Sequence, residues 1–332
     1  MRLRSPNKQF KQTLNAWHFW FALAFVLPSN AESKSVRFGL LNWALTVLEF
    51  SGRNMILYKY VGFQAAISMI ESSTLGFSRV LDLNDPFECT SICAPDNHGM
   101  TDNLVVNAIK EHLSPRFGVL SLTRQPLNSL MWSHYGQSHT GVVIGIDCEK
   151  AGLLNSETSS IPANFGDVIY SATKPSHAVN MDISDNFWVD NPALSYFEPH
   201  SYNLLSRAFL HKSLEWGYEE EVRVVKNITD DRGNCVSKRR PAQFTNSSGN
   251  WNQIFIESEG RTIPCLSIPK ESFVKVYIGR HAYKQVSHFK NFTQNEFQGV
   301  LQGWADQGIE VFGCKPDVNS WKLEAHRLEQ YS

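Results

Sequence analysis

The chain has little cysteine for its length. Six cysteines are scattered over 332 residues, Cys89, Cys93, Cys148, Cys235, Cys265 and Cys314, with no Cys-x-x-Cys pair. Cys89 and Cys93 are the only close pair, and no matching His-x-x-x-His or second cysteine pair follows them. That pattern argues against a zinc site and for free buried thiols in a reducing compartment. Net charge is nearly absent as well. Lys and Arg total 31 against 32 Asp and Glu, a formal charge of −1, so no global field draws the chain to nucleic acid or to an anionic membrane. The local basic run Lys238-Arg239-Arg240 reads as a solvated turn. No repeat of fixed period is visible. The apolar run Trp17–Leu27 falls short of the roughly 20 residues that a spanning helix needs. What is present is ordinary for a folded protein. Hydrophobic residues make up 42% and charged residues 19%, enough for one large domain or two modest ones.

Residues 1–54 read differently from the rest. Arg2, Arg4, Lys8 and Lys11 precede Trp17–Leu27, and Ser29-Asn-Ala31 would suit a signal peptidase. Trp17, His18 and Trp20 make a poor signal core, however, and a second apolar block, Phe38–Phe50, follows at once. Asn7–Trp17 and Leu40–Thr46 resemble translated read-through of an integron attachment repeat. The expectation is a natural start at Met55 in a mobile cassette and a cytoplasmic protein. The alternatives are a secreted protein, if the signal is genuine, and a membrane anchor.

From Met55 onward, hydrophobic periodicity predicts strands at Ile56–Tyr60, Leu75–Ser78, Phe117–Thr123, Gly141–Asp147, Asp167–Tyr170 and Glu221–Lys226. Further strands are expected at Cys265–Ile268, Val274–Ile278 and Ile309–Cys314. Helices are expected at Gln64–Ser72, Asp102–Leu113, Asn203–Glu215 and around Tyr283–Gln302, with a short helix or turn in Pro126–Tyr135. Asp82–Glu88 and Ala151–Ala163 read as loops, and Thr229–Asn252 as a long polar loop or insertion. Mixed order of this kind predicts an α+β fold, one domain over residues 55–332 with a central mixed β-sheet and flanking helices.

Three runs concentrate polar chemistry. Asn128–Gly141 holds Trp132, Ser133, His134, Tyr135 and His139 immediately before a strand, where scaffolds commonly set functional loops. Glu215–Arg223 offers carboxylates and an arginine; in an extended segment Glu219, Glu221 and Arg223 point one way and Glu220 and Val222 the other. Asn84-Asp-Pro-Phe-Glu88 is a loop that Asn84 and Pro86 stiffen and Phe87 anchors, with Asp85 either a cap or a ligand to a hydroxyl or metal. His134 is the candidate acid–base group and Glu221 the candidate catalytic carboxylate. Ser133 is a weaker nucleophile candidate, because neighbouring side chains diverge. Trp132 is either core or a stacking platform. A divalent-metal site from Asp85, Glu88, Glu219 and Glu221 would need the loops to converge.

Leu57-Tyr-Lys-Tyr60, Leu83-Asn-Asp-Pro-Phe-Glu88, Met131-Trp-Ser-His-Tyr135 with Gly141, and Trp216-x-Tyr-Glu-x-Glu-x-Arg223 occur in this order. Together with Val276-Tyr-Ile-Gly279 they resemble the bacterial family known as domain of unknown function 2971. Leu83 departs from the aromatic usual before Asn-Asp-Pro-Phe, and Val61-Gly62-Phe63 from a basic residue after Tyr-Lys-Tyr. That family implies no activity.

A wider layout, first strand, helix, a strand carrying Ser121-Leu-Thr123, then Glu219-x-Glu221-Val, is similar to ADP-ribosyltransferases of the arginine–serine–glutamate kind, which have a split sheet. The resemblance implies that Glu221 stabilises an oxocarbenium-like transition state and Ser121 supports the site. Lys59 or Tyr58 would stand where an arginine or histidine is expected. NAD would be substrate rather than resident cofactor. Tyr58, Lys59, Asn84, Asp85, Ser121, Trp132, Tyr135, Glu219 and Arg223 are then the expected substrate-binding set, with Glu221 and His134 catalytic and no metal. Two classes stay open: an enzyme acting on a nucleotide or nucleic-acid substrate, and a non-catalytic binding or sensing component of a phage-defence or toxin system. A nuclease is a third reading, and it gains no electrostatic help from a near-neutral surface.

Overall fold

A computed structural model describes residues 55–92, 102–175, 195–287 and 292–328, all within the unit Asn54–Ser332. The expectations for residues 1–54 and for Cys93 lie outside the described residues. The fold is α+β, as expected.

Strand β1 (Ile56–Val61) leads into helix α1 (Phe63–Ser72). Ala66, Ile67 and Ile70 put an apolar stripe on one face of α1, and Ser73 stops the helix in the left-handed region at φ 52°. Next come β2 (Thr74–Gly76), β3 (Ser78–Arg79), α2 (Asp102–Leu113) and β4 (Phe117–Thr123). Short helix α3 (Ser129–His134) starts where the Asn128 side chain accepts from the backbone N–H of Leu130 and Met131 at 2.9 and 3.2 Å. Strands β5 (Val142–Asp147) and β6 (Ile169–Ser171), helix α4 (Pro199–Phe209), and strands β7 (His211–Ser213) and β8 (Glu221–Asn227) follow. The C-terminal part contains β9 (Ala242–Asn246), β10 (Gly249–Ile256), β11 (Arg261–Ser267), β12 (Phe273–Ile278), α5 (Ala282–Ser287), α6 (Gln294–Asp306), β13 (Glu310–Pro316) and β14 (Leu323–Arg327). Thr293 and Glu296 close a capping box at the start of α6.

The main sheet is mixed and eight-stranded, in the order β14-β13-β12-β5-β1-β4-β3, with β8 paired to β4. β8 runs along the whole of β4, from Phe117↔Asn227 to Thr123↔Glu221. β1 and β3 therefore share the other edge of β4. β1 meets it at Tyr58↔Thr123, and β3 meets it at Ser78↔Val119 and Arg79↔Gly118. Leu120, Ser121 and Leu122 lie between these pairings, where β1 and β3 diverge. The sheet is split at this place.

Alternation then sorts the side chains. Leu120, Leu122, Val222 and Val224 face a core that includes Leu57, Phe63, Ile144, Val276 and Trp304. On the opposite face, Val119 and Val225 join Phe117, Leu205 and Phe209 beneath α4, and Tyr60, Met131, Trp132 and Tyr277 form a third cluster. Ser121, Thr123, Glu221 and Arg223 share that second face.

Two expectations are corrected. Residues 229–252 are not one loop: β9 and β10 form a hairpin in a second, four-stranded sheet of order β2-β11-β10-β9. Its inward positions include the polar Gln253, which is fully buried because it bonds the carbonyls of Ser237 and Arg240 and accepts from Arg79. A polar residue facing inward breaks the apolar alternation that would mark a strand. The helix expected over Asn203–Glu215 instead ends at Phe209, and β7 follows, pairing in parallel with β6. Leu214, inside the expected helix, is 57% exposed. Smaller differences arise at Leu75–Ser78, which splits at Phe77 between two sheets, and at Tyr283–Gln302, which holds two helices.

Candidate functional site

At the divergence of β1 and β3, on the Glu221 face of the sheet, a cavity of about 320 Å³ opens. Tyr58, Lys59, Asn84, Ser121, Tyr135, Glu219, Glu221 and Arg223 line it. The run at 84–88, helix α3 and the entry to β8 thus converge, although far apart in sequence.

Arg223 organises the floor. It is 1% exposed and binds Glu88 through both Nη atoms, at 2.7 and 2.6 Å. Its Nε and Nη2 reach Glu221 at 2.8 and 3.1 Å, and Nη1 also donates to the Phe209 carbonyl at 2.7 Å. Five donors in a planar fork suit this double grip. The loop before β6 packs onto the same stretch of β8. Arg223 donates its backbone N–H to the carbonyl of Gly166, and a Cβ on Gly166 would overlap the Arg223 carbonyl, so glycine is required there.

A second cation, Lys212 of β7, bridges the carboxylates of Glu219 and Glu221 at 2.6 and 3.2 Å. Its ammonium also lies over the Trp216 ring, 4.8 Å from the centroid. Glu219 accepts from Tyr135 Oη at 2.6 Å, and Asn84 Nδ2 donates to that oxygen at 3.2 Å. The backbone makes this convergence possible. Residues Leu214–Glu219 form a 3₁₀ segment, and Glu220 turns through the left-handed region at φ 43° before β8 begins. Glu219 therefore meets Glu221 on the same side even though it is outside the strand.

These contacts set the charge states. Burial by itself would raise the Glu221 carboxyl, but the charges of Arg223 and Lys212, with hydrogen bonds from Arg223 and Ser121, hold it down to about 2. Burial would lower the Lys212 amine, and the carboxylates of Glu221 and Glu219 keep it above its ordinary value. Burial also raises the Tyr135 phenol, which the bond to Glu219 reinforces.

Lys59 is the exception. It is partly buried, donates to the Ser121 carbonyl at 3.3 Å where the ladder has opened, and forms no ion pair among the described residues. Burial lowers its amine to about 8, against a smaller upward pull from Glu221. A lysine lowered in the folded state destabilises the fold below that value, and the penalty vanishes above its unfolded value of about 10.5. Lys59→Met is therefore expected to raise stability at pH 7 by roughly 1–3 kcal/mol. In urea titrations the gap between variant and wild type should close as pH rises from about 8 to about 10.5. A variant less stable than wild type at pH 7 would show that the amine is well solvated.

Other expected site residues do not line the cavity. Asp85 is 3% exposed and accepts the Phe87 N–H at 2.9 Å, a turn-closing role. Trp132 is fully buried; its Nε1 donates to the Pro126 carbonyl at 3.0 Å and its ring meets Tyr60 edge-on. His134 is exposed, with its ring against Tyr135 and Tyr218. His139 stacks on Trp132 at 6.0 Å, and Ser133 Oγ donates to the Ser129 carbonyl at 3.0 Å. The carboxylates weighed as a metal set are committed elsewhere: Glu88 to Arg223, Glu219 to Lys212, and Glu221 to both. Among the described residues no group of His, Cys, Asp and Glu is arranged to hold a metal ion. Lys212 is not legible as a site residue because it falls inside the helix expected over Asn203–Glu215. The available signal was His211-Lys-Ser213, a polar break after the apolar Phe209-Leu210.

Fold and site together define an α+β protein with a charge-compensated cavity at a split in its main sheet. Residues 131–224, from α3 into β8, match the model of the family DUF2971, a protein of unknown function. The resemblance carried by Met131–Tyr135 and Trp216–Arg223 falls within that span. Searches of curated proteins and of solved structures each found no match.

Proposed function

We propose that the cavity is the substrate site of an enzyme acting on a nucleotide, and that its sharpest form is cleavage of the nicotinamide–ribose bond of NAD with ADP-ribosyl transfer. One observation carries this reading. Lys59, Ser121 and Glu221 line a single cavity from three strands that pair in the order β1–β4–β8. A carboxylate kept ionised by Arg223 and Lys212 is suited to stabilising the positive charge that develops on a ribosyl ring as its base departs. Ser121 supports that carboxylate, and Tyr58, Asn84 and Tyr135 supply donors and acceptors for ribose hydroxyls. Lys59 stands where arginine or histidine would be usual in such a site. The thiols of Cys89, Cys148, Cys235, Cys265 and Cys314 are free, which supports action in the reducing cytoplasm. No helix among the described residues is long and apolar enough to cross a membrane.

The test is release of nicotinamide from NAD by the full-length protein, followed by chromatography. Glu221→Gln is expected to lower the rate by about 10²-fold or more. Release untouched by that change would remove Glu221 from the mechanism.

A second reading is a non-catalytic binding or sensing component of a cassette-borne defence or toxin system. It is favoured by the saturation of Glu221, whose Oε1 accepts from Arg223 and whose Oε2 accepts from both Arg223 and Lys212. Saturable NAD binding without turnover would select it.

A further inference from the structure

Two amines line the same cavity in opposite circumstances. Lys212 is clamped by two carboxylates, at 2.6 and 3.2 Å, and covered by the Trp216 ring. A lysine held in this way stays protonated and is a poor nucleophile. Among the described residues Lys59 has one hydrogen-bond acceptor, the Ser121 carbonyl, which supplies no full charge to stabilise an ammonium. The other charged groups lining the cavity are Asp82, Glu219, Glu221 and Arg223. Asp82 is paired to Arg261 at 3.2 Å, and Glu219, Glu221 and Arg223 belong to the buried network. Among the described residues, Lys59 is thus the cavity cation that no carboxylate holds.

We infer that Lys59 is a reactive amine that forms an imine with the aldehyde carbon of an open-chain sugar held in this cavity. Desolvated lysines without a counter-ion are the ones that serve as Schiff-base nucleophiles. The lowered amine supports the same conclusion. The choice of a sugar as partner rests on the ribose contacts of the nucleotide reading above; the reactivity of the amine does not.

The step balances without an added oxidant or reductant. Nζ of the neutral amine bonds to the carbonyl carbon, and the proton it gives up passes to the carbonyl oxygen. With one proton drawn from solvent, the hydroxyl of this carbinolamine leaves as water. A protonated imine remains, and its positive charge takes the place of the ammonium near Glu221.

The experiment uses the full-length protein with ribose and cyanoborohydride, which reduces the imine to a stable secondary amine, and peptide mapping by mass spectrometry. At pH 7, Lys59 is expected to be labelled roughly tenfold or more faster than the exposed Lys270, with Lys212 unlabelled. The Lys59 rate should rise with pH and level off above about 8. Labelling of Lys59 no faster than Lys270, or at the same rate as Lys212, would overturn the inference. Labelling by glycolaldehyde but not by ribose would overturn the assignment of the ligand. The outcome also separates from the proposed function. NAD turnover with an inert Lys59 removes the imine alone, and a labelled Lys59 without NAD turnover removes the transferase alone.

Discussion

Arg223→Met is expected to cost about 3–5 kcal/mol of folding stability, measured by urea denaturation at pH 7. Methionine keeps much of the volume and leaves the carboxylates of Glu88 and Glu221 buried without their cation. Glu88 is 3% exposed and Glu221 6%, so water cannot replace the guanidinium without opening the strand. The Phe209 carbonyl also loses its donor, which loosens the junction of α4 with β7. The triple variant Arg223→Met, Glu88→Gln, Glu221→Gln is expected to recover part of the loss, since uncharged amides need no counter-ion. A cost below about 1 kcal/mol for Arg223→Met would mean that the cluster is solvated, as surface ion pairs are.

The same cluster sets the response to acid. The Glu221 carboxyl is depressed in the fold, so its contribution is complete above its unfolded value of about 4.5. That contribution is lost as pH falls towards about 2, the folded value.

Trp132→Ala is expected to cost about 3–5 kcal/mol, the usual penalty for emptying a buried tryptophan site. The ring is fully buried, meets Tyr60 at 5.5 Å and stacks with His139 at 6.0 Å. Its loss also removes the donor to the Pro126 carbonyl, which fixes the chain as it enters α3. Because Trp132 does not line the cavity, ligand affinity should change little under conditions where the variant is folded. Unchanged stability with lost NAD binding would reverse the assignment and make Trp132 a stacking platform.

Both residues illustrate what local sequence patterns report. Trp132 was legible as important but not as core or platform, because a tryptophan in a polar–aromatic run has the same appearance in either role. Arg223 was legible as a partner of Glu221, since alternation along an extended segment puts both on one face. Its second partner, Glu88, lies 135 positions earlier, and no local pattern joins them. Lys212 was hidden differently. The apolar spacing of Leu204, Leu205, Ala208 and Phe209 continues to Leu214, so a helix was extended across it. The break comes from pairing of β7 with β6, a contact with a segment some forty residues away.

By itself the sequence determined the elements whose periodicity is complete within a few residues. β4 and α2 are legible with their observed bounds, and β1, β5, β8 and α1 to within a residue, because alternation and helical spacing are short-range consequences of backbone geometry. It also determined the α+β class and half of the residues that line the cavity. Tertiary structure alone decided that β1 and β3 part along one edge of β4, that His134 stays outside the cavity and that Lys212 enters it. It decided as well which amine is clamped and which has no carboxylate partner among the described residues. Charge state depends on distance and burial in three dimensions, and neither follows from the order of residues along the chain.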